Sequence, residues 1–229
     1  TIAASSLAIV VCLMLAACNV ASTLKKADQA LAIGEYSEAA TQYRKAYMKT
    51  PTKEKALRAE RALKAADCFR RINYTAKAVG SYQNAIRCGA TDSLAILHLA
   101  QMLQRQGDYK KAIAAYEQYL ELAPSDPLAL AGLDGCKQAP LWRAHPTTYS
   151  VKKEAALNGR RADYCPLLAG DEWEQLYITS TRPTAKGDDE SLITGMKAGD
   201  IFFTKKDDKG KWMPVEPVEG ELNTEFDEG

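Results

Sequence analysis

The sequence is poor in histidine: among 229 residues only His98 and His145 occur. Neither has a Cys, Asp or Glu at metal-ligand spacing, so imidazole-based metal centres have no residues to stand on. A glycine-rich phosphate loop, a Gly-x-Ser-x-Gly elbow and a His-Glu-x-x-His helix are missing as well. So is an excess of charge: 30 basic residues stand against 29 acidic ones, a net charge of +1. With so little net field, nucleic acid is not an expected partner. No catalytic residue, metal ligand or cofactor motif emerges, and the chain reads as non-enzymatic.

What is present is an ordinary soluble composition, 46% hydrophobic and 26% charged, enough for a sizeable core. Charge is balanced overall but not locally. Between Lys25 and Arg71 twelve basic residues face six acidic ones, whereas Lys206 to Gly229 holds three basic and eight acidic. A solvated face explains either run, and a partner surface is the alternative.

The first residue is Thr, and the opening reads as lacking its start. Leu7 to Leu15 is an apolar core followed by Ala16, Ala17 and Cys18. It is short against the roughly 20 residues a spanning helix needs. The run from Thr1 to Leu24 nonetheless carries no charge, which keeps a membrane anchor as the second reading. Leu15-Ala16-Ala17-Cys18 resembles the bacterial lipobox, in which the Cys thiol is acylated and becomes the new N-terminus. That resemblance implies residues 1–17 as signal peptide and Cys18 as the lipidation site. The sequence Asn19 to Thr23 after it carries no acidic sorting residue, which implies the periplasmic face of an outer membrane. Cys68, Cys88, Cys136 and Cys165 remain, and their spacing fits no metal framework; buried, unpaired thiols are expected.

From Lys25 onward the chain is alanine-rich and apolar at helical spacing. Aligned with itself, it repeats: Gly34, Tyr36, Ala39, Tyr43, Pro51 against Gly107, Tyr109, Ala112, Tyr116, Pro124. A middle copy keeps Ala78, Tyr82 and Ala85, with Asn73 in place of the glycine. This pattern resembles the tetratricopeptide repeat. The resemblance implies three helical hairpins over 18–139, with Ala27, Ala66 and Ala100 as small residues of the first helices and Ala39, Ala78 and Ala112 of the second. Ala39 and Ala78 lie further apart than Ala78 and Ala112, so the middle repeat should carry a longer first helix or inter-repeat turn. A solvating cap helix should follow, with Ser125 as N-cap and Pro127 in its first turn.

From about residue 140 the texture changes to Pro, Gly, Thr, Tyr and Trp. Gln175 to Arg182 and Asp200 to Lys206 read as strands, with Asp207 to Gly210 as a turn. Asp163-Tyr164-x-Pro166, Ser180-x-Arg182, Asp200 to Phe202, Lys209 to Trp212 and Asn223 to Glu228 resemble the opening blade of a TolB- or WD-related β-propeller. The fold class expected is therefore α then β: an α-solenoid of three repeats plus a cap helix, then over 140–229 a linker and the first blade of an incomplete β-propeller.

His98 is expected to pack rather than ligate, and the acidic run Gly187 to Glu190 to be a solvated loop. Carrying the groove positions of the repeat family onto this sequence implies a partner-binding face of Glu60, Leu63, Asp67, Arg70, Arg71, Leu94, Leu97, Gln101, Gln104 and Arg105. Taken in order, the lipobox, repeats and blade resemble Bacteroidetes outer-membrane lipoproteins that end in an OmpA-like domain and belong to the type IX secretion system. The resemblance implies a periplasmic scaffold with protein partners in a secretion complex. Contact with the membrane would be through acyl chains, and contact with peptidoglycan only through a domain outside these residues. The alternatives are a lipid-anchored enzyme or sugar-handling protein with its active site in further blades, and a repeat protein that binds exported chains transiently.

Overall fold

The computed structural model describes residues 19–187 and 189–228. Cys12 and Cys18, with the expected leader, lie outside them. The chain divides between Pro146 and Thr147 into two compact units.

Seven helices make up the described part of the first unit: α1 (19–32), then α2 (Tyr36–Lys49), α3 (Lys55–Arg71), α4 (Thr75–Arg87), α5 (Ser93–Arg105), α6 (Tyr109–Leu120) and α7 (Pro127–Ala144). From α2 onward each helix packs on the next, the pattern of a helical-hairpin solenoid. Its core rests on the repeat register. Ala27, Ala66 and Ala100 on first helices, and Ala39, Ala78 and Ala112 on second helices, are all fully buried. A methyl group at each crossing lets the helices close to packing distance, where a longer side chain would force them apart. Tyr43, Tyr82 and Tyr116 fill the space beside these alanines, at most 1% exposed.

Each hairpin turns through one left-handed residue: Gly34 (φ 82°), Asn73 (φ 61°) and Gly107 (φ 79°). Asn replaces Gly in the middle repeat because it tolerates this region better than other side chains do. In all three turns the amide of the residue directly before the second helix bonds back across the left-handed residue: Glu35 to Ala30, Tyr74 to Phe69 and Asp108 to Leu103, at 2.9, 2.9 and 3.0 Å. That six-to-one bond satisfies a carbonyl that the helix end would otherwise leave open.

The longer spacing of the first two repeats lies in helix, not in turn. The α3 helix has 17 residues against 13 in α5, and α2 has 14 against 13 in α4. Ala66 and Ala100 both precede their helix end by five residues, so the added turn of α3 is at its N-terminus, residues 55–58. There Arg58 donates to the carbonyls of Tyr47 (3.2 Å) and Thr50 (2.7 Å), and its guanidinium lies 4.1 Å from the Tyr47 ring centroid. The extra turn thus caps the end of α2.

Two expectations for the cap helix, its N-cap and its polar surface, are corrected. Asp126, not Ser125, is the N-cap: its carboxylate accepts from the amides of Leu128 (2.9 Å) and Ala129 (3.1 Å), leaving Pro127 at the first helical position. Helix continues through Pro140 to Ala144. Its surface is not a polar cap either, since Leu128, Leu141 and Trp142 are more than half exposed. Gly132 has a packing cause: a Cβ there would come within 2.3 Å of the Tyr116 ring.

In the second unit four strands, β1 (Asp163–Ala169), β2 (Gln175–Ser180), β3 (Asp200–Lys205) and β4 (Glu216–Pro217), form an antiparallel sheet in sequence order. The expected pair thus has a neighbour on each side. The β1 strand is hard to read in sequence because it contains Pro166; a register shift between Tyr164 and Leu167, with Cys165 at φ 50°, accommodates the proline on the sheet edge. The β2–β3 ladder is unbroken from Gln175↔Lys205 to Ser180↔Asp200. After it Asp207 organises the turn: its carboxylate accepts from the amides of Lys209 and Lys211, and Gly210 takes φ 74°. The apolar core is small, with Leu176, Ile178, Ala185 and Phe202 buried and Leu157, Trp212 and Val215 against them. Leu167, Trp173 and Phe226 are 60% or more exposed.

Among the described residues the four thiols are free. Cys68 and Cys136 are buried as expected, Cys88 is half-buried, and Cys165 is exposed, which corrects the expectation for that residue. Burial, aided by the neighbouring Asp67 charge, pushes the Cys68 thiol up to about 11. No helix among the described residues is long and apolar enough to cross a membrane.

Candidate functional site

The first-helix face of the solenoid gathers polar side chains by a device that repeats with the fold. The buried tyrosine of each second helix points its hydroxyl through the hairpin to a first-helix acceptor. Tyr43 donates to Asp28 (2.5 Å), Tyr82 to Asp67 (2.5 Å) and Tyr116 to Gln104 (2.6 Å). Burial and the adjacent carboxylate both raise the Tyr82 hydroxyl far above the ordinary phenol range; burial, then the nearby Cys136, pushes Tyr116 up to about 12. These phenols remain protonated donors and have no thiolate- or alkoxide-like nucleophilicity at neutral pH.

A basic side chain from the next repeat then joins each acid. Lys64 lies 3.4 Å from Asp28 and 3.3 Å from Glu60. His98 Nδ1 lies 3.5 Å from Asp67, and its ring centroid is 5.9 Å from that of Tyr82. Asp28 and Asp67 each follow the small alanine of their helix by one residue, and Lys64 and His98 each precede theirs by two. Equivalent positions therefore carry equivalent roles, and each pair joins one hairpin to the next. Arg70 adds to the second cluster, donating from Nε to the Tyr82 hydroxyl (3.1 Å) and lying 3.7 Å from Asp67. Burial alone would raise the Asp67 carboxyl. Hydrogen bonds from His98 and Tyr82, and the charges of His98 and Arg70, win over it and hold Asp67 below the ordinary carboxylate range.

The ten expected binding residues fall into three groups. Glu60 and Leu94 are exposed on this face, Leu94 at 47%, and Leu63, Asp67, Arg70, Gln101 and Gln104 are half-buried along it. Leu97 is corrected to the core at 4% exposure, where an apolar side chain gains about 2 kcal/mol over a boundary position. Arg71 and Arg105 reach back to the preceding repeat instead of forming one cluster with Arg70. The Arg71 guanidinium lies 5.3 Å from the Tyr36 ring, and Arg105 donates to Asn73 Oδ1 at 2.8 Å. Both follow the small alanine of their helix by five residues, so they tie adjacent hairpin turns together. Sequence reasoning missed Asp28, Lys64, Tyr82 and His98 as one system. A shift of Lys64 by the repeat length falls on His98, which was the available signal.

The sheet unit has a separate polar centre. Asp163 accepts from Ser180 Oγ (2.7 Å), the Gly159 amide (2.7 Å) and Arg182 Nε (3.1 Å) and Nη2 (3.0 Å); the two ionic side chains are 9% and 15% exposed. Burial would raise the Asp163 carboxyl, but these donors outweigh it and hold it below the ordinary range. Asn223 behaves as a piece of strand, its Oδ1 accepting from the Ile201 amide (2.8 Å) and its Nδ2 donating to the Ile201 carbonyl (2.9 Å). These are fully paired structural groups. Cys18 lies outside the described residues, as does Asp188 of the acidic run; Asp189 and Glu190 beside it are exposed. Among the described residues no three His, Cys, Asp or Glu side chains gather as a metal site.

Residues 94–133 match the family model of the tetratricopeptide repeat, the third hairpin with the start of α7. No curated protein matches the sequence. Solved structures with a similar fold include the Arabidopsis OM64 TPR domain (17% identity, 53% of this chain and 96% of that one, TM-score 0.44). MamA (22%, 55% and 71%, TM-score 0.45) and the Sgt2 TPR domain from Aspergillus fumigatus (21%, 60% and 91%, TM-score 0.44) are others. The third hairpin thus matches the tetratricopeptide repeat, the hairpins before it share its register, and a small antiparallel sheet follows.

Proposed function

We propose that this chain is a non-enzymatic scaffold that holds a protein partner on its first-helix face. The observation that carries the reading is the ladder of Asp28–Lys64 and Asp67–His98 pairs with Leu94 exposed beside it. Its ionic side chains are between 22% and 58% exposed, so they are oriented by neighbours yet open to a partner. Such a surface offers oriented donors and acceptors to a peptide or helix at little ordering cost. Acidic and basic side chains alternate along it, which favours a partner of mixed character over a purely acidic tail. Reaction chemistry has no support: His98 is engaged with an acid and a phenol that stays protonated, and the neighbouring Cys68 thiol is buried and pushed up to about 11.

In the finer reading, acylation at Cys18 holds the scaffold at the periplasmic face of an outer membrane. The sheet is there the opening blade of a β-propeller, and the whole is a component of a type IX secretion system whose link to peptidoglycan is made by a domain outside these residues. The sequence resemblances support this, and the exposed Leu167, Trp173 and Phe226 fit a sheet that packs against further blades.

The test is native co-purification from envelopes. Lys64→Glu with Leu94→Asp should remove the partner recovered with the unaltered chain while leaving helical circular dichroism unchanged. Retention of that partner would move the binding site elsewhere. Cys18→Ser should release the protein from membranes; full sedimentation after a high-salt wash would rule out lipid as the main tether.

A further inference from the structure

The hairpin architecture puts the start of α1, the end of α2 and the start of α3 at one pole of the first repeat. Lys49 Nζ donates to Asn19 Oδ1 at 2.7 Å, which fixes that pole beside the residue that follows Cys18 in the chain. Around it Arg44, Lys45, Lys49, Lys53 and Lys55 are all exposed, with Glu54 the acid among them, and Met48 projects between them at 67% exposure. Among the described residues, Lys45, Lys53 and Lys55 make no ion pair.

The third repeat is an internal control for what the fold itself demands. Aligning Ala39 with Ala112 sets Pro51 on Pro124, so the local structure is matched. The same alignment sets Arg44 on Glu117, Lys45 on Gln118, Met48 on Glu121, Lys49 on Leu122, Lys53 on Asp126 and Lys55 on Leu128. Hairpin packing therefore needs no positive charge at these positions. The basic cluster is a property of one pole, the one from which the uncharged stretch of residues 1–18 departs.

We infer that this pole is a docking surface for an anionic lipid bilayer, with Lys45, Lys49, Lys53 and Lys55 facing the phosphate headgroups and Met48 reaching between them. The inference deepens the proposed tethering of the scaffold and rests on its reading that residues 1–18 meet a membrane, whether by acylation of Cys18 or as an apolar segment. Lysines within about 8 Å of such a surface feel its negative potential little screened. A polybasic patch beside such an anchor adds electrostatic attraction to anionic lipid and sets which face of the chain meets the bilayer. Seated this way, the first repeat lies against the bilayer and the Asp67–His98 cluster is carried one repeat farther along the solenoid.

The test measures partition of the full, unacylated chain into vesicles of phosphatidylcholine alone and of phosphatidylcholine with phosphatidylglycerol at roughly a third of the lipid, at low and high salt. Each lysine near an anionic surface is worth about fivefold in partition. The unaltered chain should favour the anionic vesicles by about tenfold or more, and high salt should erase the preference. The triple variant Lys45→Glu, Lys49→Glu, Lys53→Glu should lose it without losing its baseline on neutral vesicles, whereas Lys110→Glu with Lys111→Glu, at the opposite pole of the third repeat, should keep it. Equal partition of the unaltered chain into both vesicle types overturns the inference, as does a preference that the triple variant retains. Tighter binding of duplex DNA than of anionic vesicles overturns it too. Because no lipidated cysteine is involved, these outcomes are independent of the Cys18→Ser fractionation.

Discussion

The solenoid and the sheet are held together by opposite means. In the solenoid the six alanines at the helix crossings and the three tyrosines beside them are buried to 1% exposure or less, and polar groups decorate a structure that packing already determines. In the sheet only Phe202 is a fully buried large apolar side chain; Asn223, Asp200 and Ser180 are buried to the same degree. Hydrogen bonds there substitute for apolar area, and they are directional, so the unit depends on a few groups instead of many. A polar core of this kind defines geometry well and stabilises weakly, because each bond replaces one to water.

The largest expected effect comes from breaking the sheet's buried ion pair. Asp163→Ala leaves Arg182 desolvated without its carboxylate, a loss of about 3–5 kcal/mol, enough to abolish the sheet while leaving the solenoid folded. Emission from Trp212, which packs against the sheet core, should shift to solvent-exposed values, with helical ellipticity unchanged. Acid should imitate the substitution. The Asp163 carboxyl is depressed in the folded state, so its contribution is present above the unfolded value of about 3.9 and is lost as pH falls through the lower folded value. Sheet signals should therefore weaken below about pH 4, and less so in the Asp163→Ala chain, which has already lost the contribution.

A smaller effect tests the other half of the comparison. Ala112→Leu inserts three carbons at a fully buried crossing and should cost about 1–3 kcal/mol, lowering the helical melting temperature without moving the tryptophan signal of the sheet. An unchanged helical midpoint would show that alanine packing is not what sets the solenoid's stability. Smaller again is Asn73→Gly. It relieves a left-handed backbone but gives up the Arg105 contact, so the two nearly cancel and the midpoint should move by less than the equivalent of about 1 kcal/mol.

The solenoid was legible because its constraints are local and periodic. Alanine at a crossing, glycine or asparagine at a left-handed turn and tyrosine beside them recur at fixed spacing, and each is demanded by backbone sterics. What escaped sequence reasoning depended on contacts between repeats or on side-chain reach. Leu97 and Leu94 both looked like groove residues, and only packing sends one inward and leaves the other out. Arg71 and Arg105 can extend in several directions, and the nearby turn of the previous hairpin decided. In the sheet, the Asp163, Ser180 and Arg182 motif was visible as a string, but its cause, one carboxylate accepting from both partners across β1 and β2, required the register. Pro166 concealed β1 because a proline normally argues against a strand, and the bulge at Cys165 is the local remedy.

Thermal unfolding of the whole chain, followed together by helical ellipticity and by emission of Trp212 with Trp142→Phe and Trp173→Phe as background, tests the division most directly. A self-sufficient solenoid beside a marginal sheet predicts two separate transitions, the tryptophan change completed at the lower temperature while ellipticity is retained. A single coincident transition would contradict the account, because it would mean that the sheet draws on stability its own core does not provide.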